Sequence, residues 1–210
     1  MSQFHDLINS NLIQGKIFFD KSLENLTWLK VGGKASCLYI PKNKEDLAVF
    51  LKHIDSKIKT SVFGRLSNVL IRDGGIPGVT ILIPPSFSQL EIHKNNKITF
   101  GSGLLDKNVS QFAYDNDLGG FEFLSGIPGN IGGAIAMNAG CYGSEIKDIA
   151  DEVLILERDG ELKSYNNEEM NFSYRNSIIK TDQIIIEATF QGRHENKSNI
   201  KEKIDAVISS

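Results

Sequence analysis

Gly119-Gly120-Phe121-Glu122-Phe123-Leu124-Ser125-Gly126-Ile127-Pro128-Gly129-Asn130-Ile131-Gly132-Gly133, followed by Met137-Asn138-Ala139-Gly140-Cys141-Tyr142-Gly143, holds eight of the nineteen glycines in a chain of 210 residues. Core packing does not call for that density, because glycine buries no side chain and loses the most backbone freedom on folding. Glycines at 126, 129 and 132 let main-chain amides turn inward and approach an anion closely, so the segment can cradle a phosphate without a lysine. A pyrophosphate suits it. An irregular loop made of tight turns is the alternative reading of the same composition.

Outward from this segment, short strands outnumber helices and do not alternate with them. Toward the N-terminus, residues 1–25 mix apolar and polar positions loosely, and Cys37 to Ile40 reads as a strand closed by Pro41. Asn43 then caps a helix with Asp46 three positions on, its apolar residues Leu47, Phe50, Leu51 and Ile54 falling at i, i+3, i+4 and i+7. Ser61 to Phe63, Val69 to Ile71 and Val79 to Ile83 read as strands, with a glycine turn at Gly74-Gly75 and a stop at Pro84-Pro85. Lys97 to Phe100 is a further strand, and Leu105, Val109, Phe112 and Ala113 mark a second helix that ends before Gly119-Gly120. Beyond the glycine segment, Val153 to Leu156 and Leu162 to Tyr165 flank Asp159-Gly160 as a hairpin, and Ile184 to Phe190 makes one more strand. The order predicts an α+β chain in two sub-blocks meeting near Pro84-Pro85, not a doubly wound parallel sheet. Ile200, Ile204, Val207 and Ile208 form the apolar face of a last helix, a face that needs a partner.

Composition narrows the function. Lys plus Arg total 23 against 26 Asp plus Glu, a formal charge of -3, without the basic stripe that phosphate-backbone binding needs. Nucleic acid is not expected as a partner. No apolar run approaches the roughly 18 residues of a spanning helix, and His5, Asp6, Asn9, Asn11 and Lys16 interrupt any signal-peptide core, so the protein reads as cytoplasmic and free of membrane. Cys37 and Cys141 have no partner motif and the four histidines never stand at ligand spacing, which makes them structural and predicts no bound metal.

Two other segments carry polar chemistry. Gly64-Arg65-Leu66-Ser67-Asn68 follows a strand directly, where a glycine turn with serine and asparagine side chains offers several donors to one phosphate; the same side chains also suit a self-satisfied turn. Arg175, in Phe172-Ser173-Tyr174-Arg175-Asn176-Ser177, can pair bidentately with a carboxylate or phosphate. G-x-G-x-x-G, G-x-x-x-x-G-K-[ST] and G-x-S-x-G are all absent, which disfavours a Rossmann dehydrogenase, a P-loop ATPase and an α/β hydrolase. Read this far, the residues say that the chain binds a pyrophosphate-containing ligand.

Five ordered motifs together are more specific. Residues 26–33 (Leu-Thr-Trp-Leu-Lys-Val-Gly-Gly), 67–75 (Ser-Asn-Val-Leu-Ile-Arg-Asp-Gly-Gly), 119–129, Met137-Asn138-Ala139-Gly140 and Tyr174-Arg175-Asn176-Ser177 resemble the UDP-N-acetylenolpyruvoylglucosamine reductases, flavoenzymes of bacterial peptidoglycan synthesis. The resemblance implies the FAD-binding fold of the vanillyl-alcohol-oxidase (PCMH) type, in two α+β subdomains. It implies that Gly64, Arg65, Ser67, Asn68, Val69 and Leu70, with Gly126, Ile127, Pro128, Gly129, Gly132 and Gly133, bind the FAD pyrophosphate from two sides, and that Asn138 completes the site. NADPH is then the hydride donor and the enolpyruvyl UDP-sugar the acceptor, giving UDP-N-acetylmuramate, without an obligatory protein partner. Arg175 is the implied catalytic residue and Tyr174 beside it positions substrate. Only Ser177 to Gln183 lie between the arginine motif and the next strand, which resembles the family type lacking an extra loop there.

Two departures carry expectations. Arg65 and Leu66 stand where the family has small residues, adding bulk where backbone must come close to phosphate. The family also continues in a substrate-binding domain that supplies a proton-donating serine and a glutamate. Residues 1–23 are thus expected to be an extension, 24–192 the FAD-binding domain with subdomains of about 24–84 and 85–192, and 193–210 a helix leading to an absent domain, whose loss leaves that helix's apolar face unsatisfied and the chain incomplete for turnover. A non-catalytic FAD- or nucleotide-binding module is the other reading. An oxidase of the same fold is a third, against which the Tyr174-Arg175-Asn176-Ser177 motif argues.

Overall fold

The computed structural model describes Phe4, Leu7 and residues 11–209. Its described residues form two compact units. The first runs up to Phe87 and also takes in Ile155–Lys163 and Lys180–Ile184; the second takes Ser88–Leu154, Ser164–Ile179 and the chain from Ile185 onward.

In the first unit, β1 (Lys16–Ser22), β2 (Lys34–Ile40), α1 (Lys44–His53), β3 (Thr60–Phe63) and β4 (Ile76–Leu82) build one sheet in the order β1-β2-β4-β3. β2 and β3 both run parallel to β4, while β1 closes the edge antiparallel to β2. The predicted cap of α1 is present: the Asn43 side chain accepts from the Asp46 amide at 2.9 Å. Leu47, Phe50 and Leu51 are buried as their spacing requires, with the Phe50 ring stacked 3.8 Å from that of Tyr39. Asp46 itself is buried, its carboxylate accepting from the Tyr39 hydroxyl at 2.7 Å and from the Gln14 and Lys42 amides. Two sequence readings are corrected here. Residues 16–22 are a strand, hidden because its exposed face carries Phe18 and so breaks the polar alternation expected of an edge. Residues 69–71 are unpaired; Ile71 is apolar because it anchors the segment in a cluster with Leu23, Ala35, Leu38 and Leu66.

The second unit opens with β5 (Leu90–Ile92), β6 (Lys97–Gly101), α2 (Asp106–Asp115) and β7 (Leu118–Gly119). A 3-10 turn, Glu122–Gly126, and a short helix α3 (Ile131–Ala136) follow, then the small hairpin of β8 (Gly140–Cys141) and β9 (Ser144–Glu145). β10 (Ala150–Leu156), β11 (Leu162–Asn166) and β12 (Ile184–Gln191) complete a five-stranded sheet in the order β11-β10-β12-β6-β5. The Asp159-Gly160 turn closes the predicted hairpin, with the Glu157 amide on the Glu161 carbonyl at 2.8 Å and Gly160 at φ +78°. Phe100, fully buried, centres the core among the rings of Phe112, Phe121 and Phe190.

β13 (Arg193–His194) pairs with β7 and leads into α4 (Lys197–Ile208), capped by Asn196. The expectation of an unsatisfied apolar face on this helix is corrected in part. Ile200 and Ile204 are buried, and Val207 lies 2.7 Å from the point a Cβ on Gly126 would occupy, so the first turns pack back on their own unit, while Ile208 at the end stays 66% exposed. Glycine at 126 is what permits that approach. Among the described residues no helix is long and apolar enough to cross a membrane, and no group of His, Cys, Asp and Glu could hold a metal.

Candidate functional site

In the first unit the segment after β3 is shaped by one inward residue. Leu66 adopts φ +53° and is 4% exposed, its side chain in the cluster with Leu23, Ala35, Leu38 and Ile71. Of the two residues expected to crowd a phosphate, Leu66 is therefore turned into the core, whereas Arg65 is exposed, as is Asn68 beyond it. The 26–33 motif is bonded to this segment. Thr27, buried, accepts from the Val31 amide, and its one hydroxyl hydrogen is within reach of the Val31 carbonyl at 2.8 Å and the Glu24 carbonyl at 3.1 Å. The Trp28 amide donates to the Leu66 carbonyl at 3.3 Å and the Gly33 amide to the Arg72 carbonyl at 3.1 Å. Around these bonds Trp28, Leu29, Val31 and Leu70 remain exposed, Leu70 by 73%.

In the second unit the glycine segment is only partly a loop. The 3-10 turn ends at Gly126 and α3 begins at Ile131, so Gly132 and Gly133 are helical. Ladder-like bonds tie residues 129–132 to residues 102–106: Gly132 amide to Ser102 carbonyl at 3.0 Å, Ile131 amide to Leu104 carbonyl at 2.9 Å, Asp106 amide to Gly129 carbonyl at 3.2 Å. The Asn130 carboxamide adds a bond of 2.5 Å to the Gly103 carbonyl. A Cβ at Gly132 would stand 2.9 Å from the Ser102 Cβ. Gly132, expected to offer its amide to a phosphate, thus serves close packing, and its amide is engaged by protein. Gly133 differs: a Cβ there meets no atom within 4 Å, which leaves an open face beside Ile127, Pro128 and Gly129 in sequence. The Ser102 hydroxyl, buried in this ladder, has no partner among the described residues; nothing in the sequence pattern marks it.

Arg175 lies in a tight turn closed by the Ser173 amide on the Asn176 carbonyl at 3.0 Å and the Asn176 amide on the Ser173 carbonyl at 3.1 Å. It adopts φ +53°, is exposed, and donates from its guanidinium to the Gly140 carbonyl at 3.1 Å. Tyr174 beside it is 88% exposed, with its ring centre 5.9 Å from the guanidinium carbon. The turn therefore presents a cation and a phenol to whatever approaches it, which suits a carboxylate-bearing ligand. Asn138, expected as a cofactor contact, is 1% exposed, and its side chain bonds to Glu145, Ser173 and the Lys147 amide. The donors and the acceptor of that side chain are thus engaged by the protein itself. Sequence reasoning missed Glu145 and Ser173 as its partners because they lie 7 and 35 positions away.

The FAD binding domain family matches residues 35–166 of this chain. UDP-N-acetylenolpyruvoylglucosamine reductase of Rickettsia canadensis is 41% identical over 93% of this chain and 66% of its own length, and that of Orientia tsutsugamushi (strain Ikeda) 41% over 93% and 65%. The chain thus spans just under two thirds of the length of these curated relatives. Among solved structures, UDP-N-acetylenolpyruvylglucosamine reductase from Thermus caldophilus superposes with a TM-score of 0.79 at 28% identity, covering 94% of this chain and 69% of the other. Physcomitrella patens BBE-like 1, at 14% identity and a TM-score of 0.64 over 92% of this chain and 44% of its own, shares the fold. The chain belongs to the FAD binding domain family, on the α+β fold that its sequence predicts, and its relatives there are the UDP-N-acetylenolpyruvoylglucosamine reductases.

Proposed function

We propose that this chain is the FAD-binding portion of a reductase that converts UDP-N-acetylenolpyruvoylglucosamine to UDP-N-acetylmuramate with NADPH, in the cytoplasmic stage of peptidoglycan synthesis. The observation that carries this is 41% identity to such reductases over 93% of the chain. The residues present fit FAD: the Leu66 side chain points into the core, and a Cβ at Gly133 would meet no atom within 4 Å. FAD held by these residues would supply hydride transfer from NADPH to the enolpyruvyl double bond, and the proton that completes the lactyl ether would come from a donor outside the residues described.

On this reading the segment with Gly64, Arg65, Ser67, Asn68, Val69 and Leu70 supplies main-chain and side-chain donors to the pyrophosphate, and the segment with Ile127, Pro128, Gly129 and Gly133 offers it main-chain amides of its glycines alone. Arg175 binds the substrate carboxylate, into which negative charge is drawn as the double bond accepts hydride, and a fixed guanidinium stabilises that charge more than it stabilises the neutral alkene. Tyr174 orients the same group.

The test is flavin retention after incubation with FAD and gel filtration. Gly133→Leu should abolish the retained visible spectrum while leaving the fold intact, since the added side chain meets open space in a helix that favours leucine over glycine by about 1 kcal/mol. Flavin retained by Gly133→Leu as by the parent chain would overturn the assignment of that segment. Retained FAD should also quench the emission of Trp28, the chain's single tryptophan, which is bonded through its amide to the Leu66 carbonyl. For Arg175, reoxidation of the NADPH-reduced flavin by the UDP-sugar in a single turnover should slow by roughly 100- to 1,000-fold in Arg175→Ala, the loss expected for one transition-state donor. An unchanged rate removes the arginine from the mechanism.

A further inference from the structure

We infer that Asn138 is a positioning residue for Arg175, acting through the Ser173 carbonyl. The inference rests on the reading of Arg175 as the group that meets the substrate carboxylate; the placement of the turn is independent of it.

A neutral carboxamide has two N–H donors and one carbonyl acceptor that commonly takes one partner in a crowded site. In Asn138 all of them are engaged, by three residues in two segments, 145–147 and 173. One N–H donates to Glu145 Oε2 at 2.8 Å, the other to the Ser173 carbonyl at 3.1 Å, and the side-chain oxygen accepts from the Lys147 amide at 3.0 Å. The residue is 1% exposed, so water cannot replace a lost partner. It stands just past α3 at φ +39°, a left-handed conformation that asparagine tolerates better than most side chains. Asparagine thus suits the position for both its backbone and its hydrogen-bonding pattern.

The same strip of chain grips the arginine turn at three points. Ser177 Oγ donates to the Ala136 carbonyl at 2.8 Å, Asn138 donates to the Ser173 carbonyl, and Arg175 donates to the Gly140 carbonyl at 3.1 Å. Residues 136 and 138 therefore hold the two ends of the turn, and Arg175 between them is kept at φ +53°, which a non-glycine residue adopts only when its surroundings enforce it. The Ser173 carbonyl is the shared atom. It receives both Asn138 and the Asn176 amide that closes the turn.

The separating experiment uses Asn138→Asp, Glu145→Gln and the double variant. Asn138→Asp removes both donors and sets a carboxylate against Glu145, so it should destabilise the whole unit. In the double variant the carboxamide introduced at position 145 can donate to the carboxylate introduced at position 138, which still accepts from the Lys147 amide. The bond to the Ser173 carbonyl stays broken, and the partly exposed Lys147–Glu145 ion pair is lost as well, a loss that Glu145→Gln alone measures. The double variant is expected to melt close to the parent chain while the Asn176 amide exchanges with solvent at least tenfold faster and the Arg175 Nε–H resonance moves toward that of free arginine. Loaded with FAD, it should show slower single-turnover reoxidation by the UDP-sugar at saturating concentration, with flavin retention unchanged. A double variant that keeps the parental exchange at Asn176 and the parental Arg175 resonance overturns the inference. If the parent's reduced flavin is not reoxidised by the UDP-sugar, as befits a chain that is only the FAD-binding portion, exchange at Asn176 and the Arg175 resonance still decide whether Asn138 places the turn.

Discussion

Gly75→Ala should destabilise the first unit by about 3 kcal/mol or more, and Gly74→Ala, one residue earlier, should be close to neutral. A Cβ on Gly75 would sit 2.0 Å from the Lys34 carbonyl oxygen and 2.8 Å from the Lys34 nitrogen, both main-chain atoms that cannot rotate away. Gly75 also adopts φ +72°, where any L side chain is strained. Relief would have to come from moving Lys34, the first residue of β2, whose neighbour Ala35 pairs with Ile76 at the start of β4. The turn thus fixes where two parallel strands begin. A Cβ on Gly74 meets nothing within 4 Å and its φ is not in the left-handed region, so alanine there only restricts the unfolded chain. Urea midpoints of the two variants measure the contrast, and equal midpoints would refute this account of the turn. The consequence reaches the proposed FAD segment, because the Gly33 and Gly75 amides both donate to the Arg72 carbonyl, two residues beyond its last member, Leu70.

This pair of glycines also shows what the sequence can and cannot carry. Gly74-Gly75 is legible as a turn, but which of the two is indispensable depends on Lys34, some forty positions away. Features whose causes are local were readable throughout: the Asn43 cap of α1, the apolar spacing of Leu47, Phe50 and Leu51, the Asp159-Gly160 hairpin. Each rests on residues within about one helical turn or one tight turn of each other. Misreadings came where a residue type answers to a distant neighbour. Ile71 is apolar for the sake of Leu23 and Ala35, not for a strand. Gly132 is glycine because Ser102 lies against it, so a pattern suggestive of phosphate binding was here partly a packing pattern. The candidate site divides the same way. Arg175 and Tyr174 could be named from their motif, whereas Asn138 took its actual role from Ser173, which no local rule connects to it.

Asp106→Asn should flatten the pH dependence of stability. Asp106 opens α2 with 1% of its surface exposed and both carboxyl oxygens without a partner among the described residues. Burial, which disfavours the charged form, pushes its pKa up to about 8. In the unfolded chain the same carboxyl titrates near about 3.9. Between these values the native protein keeps the proton and the unfolded chain has released it, so the native state binds more protons and loses stability as pH rises. The loss amounts to at most about 1.4 kcal/mol per pH unit, and it levels off above the native value, where both states are ionised. Asparagine never ionises, and every other titrating group is common to both proteins. The stability of Asp106→Asn relative to the parent should therefore grow steadily from pH 5 to pH 8 and then stay constant. Parallel curves across that range would mean that the carboxyl is ionised and solvated in the native protein. The effect has a functional edge, since the Asp106 amide donates to the Gly129 carbonyl at 3.2 Å and so ties α2 to the segment proposed to hold FAD. Ionisation at Asp106 loads a buried charge onto that attachment. Flavin retention by the parent chain should accordingly weaken above pH 8, and Asp106→Asn should hold its flavin through the same range.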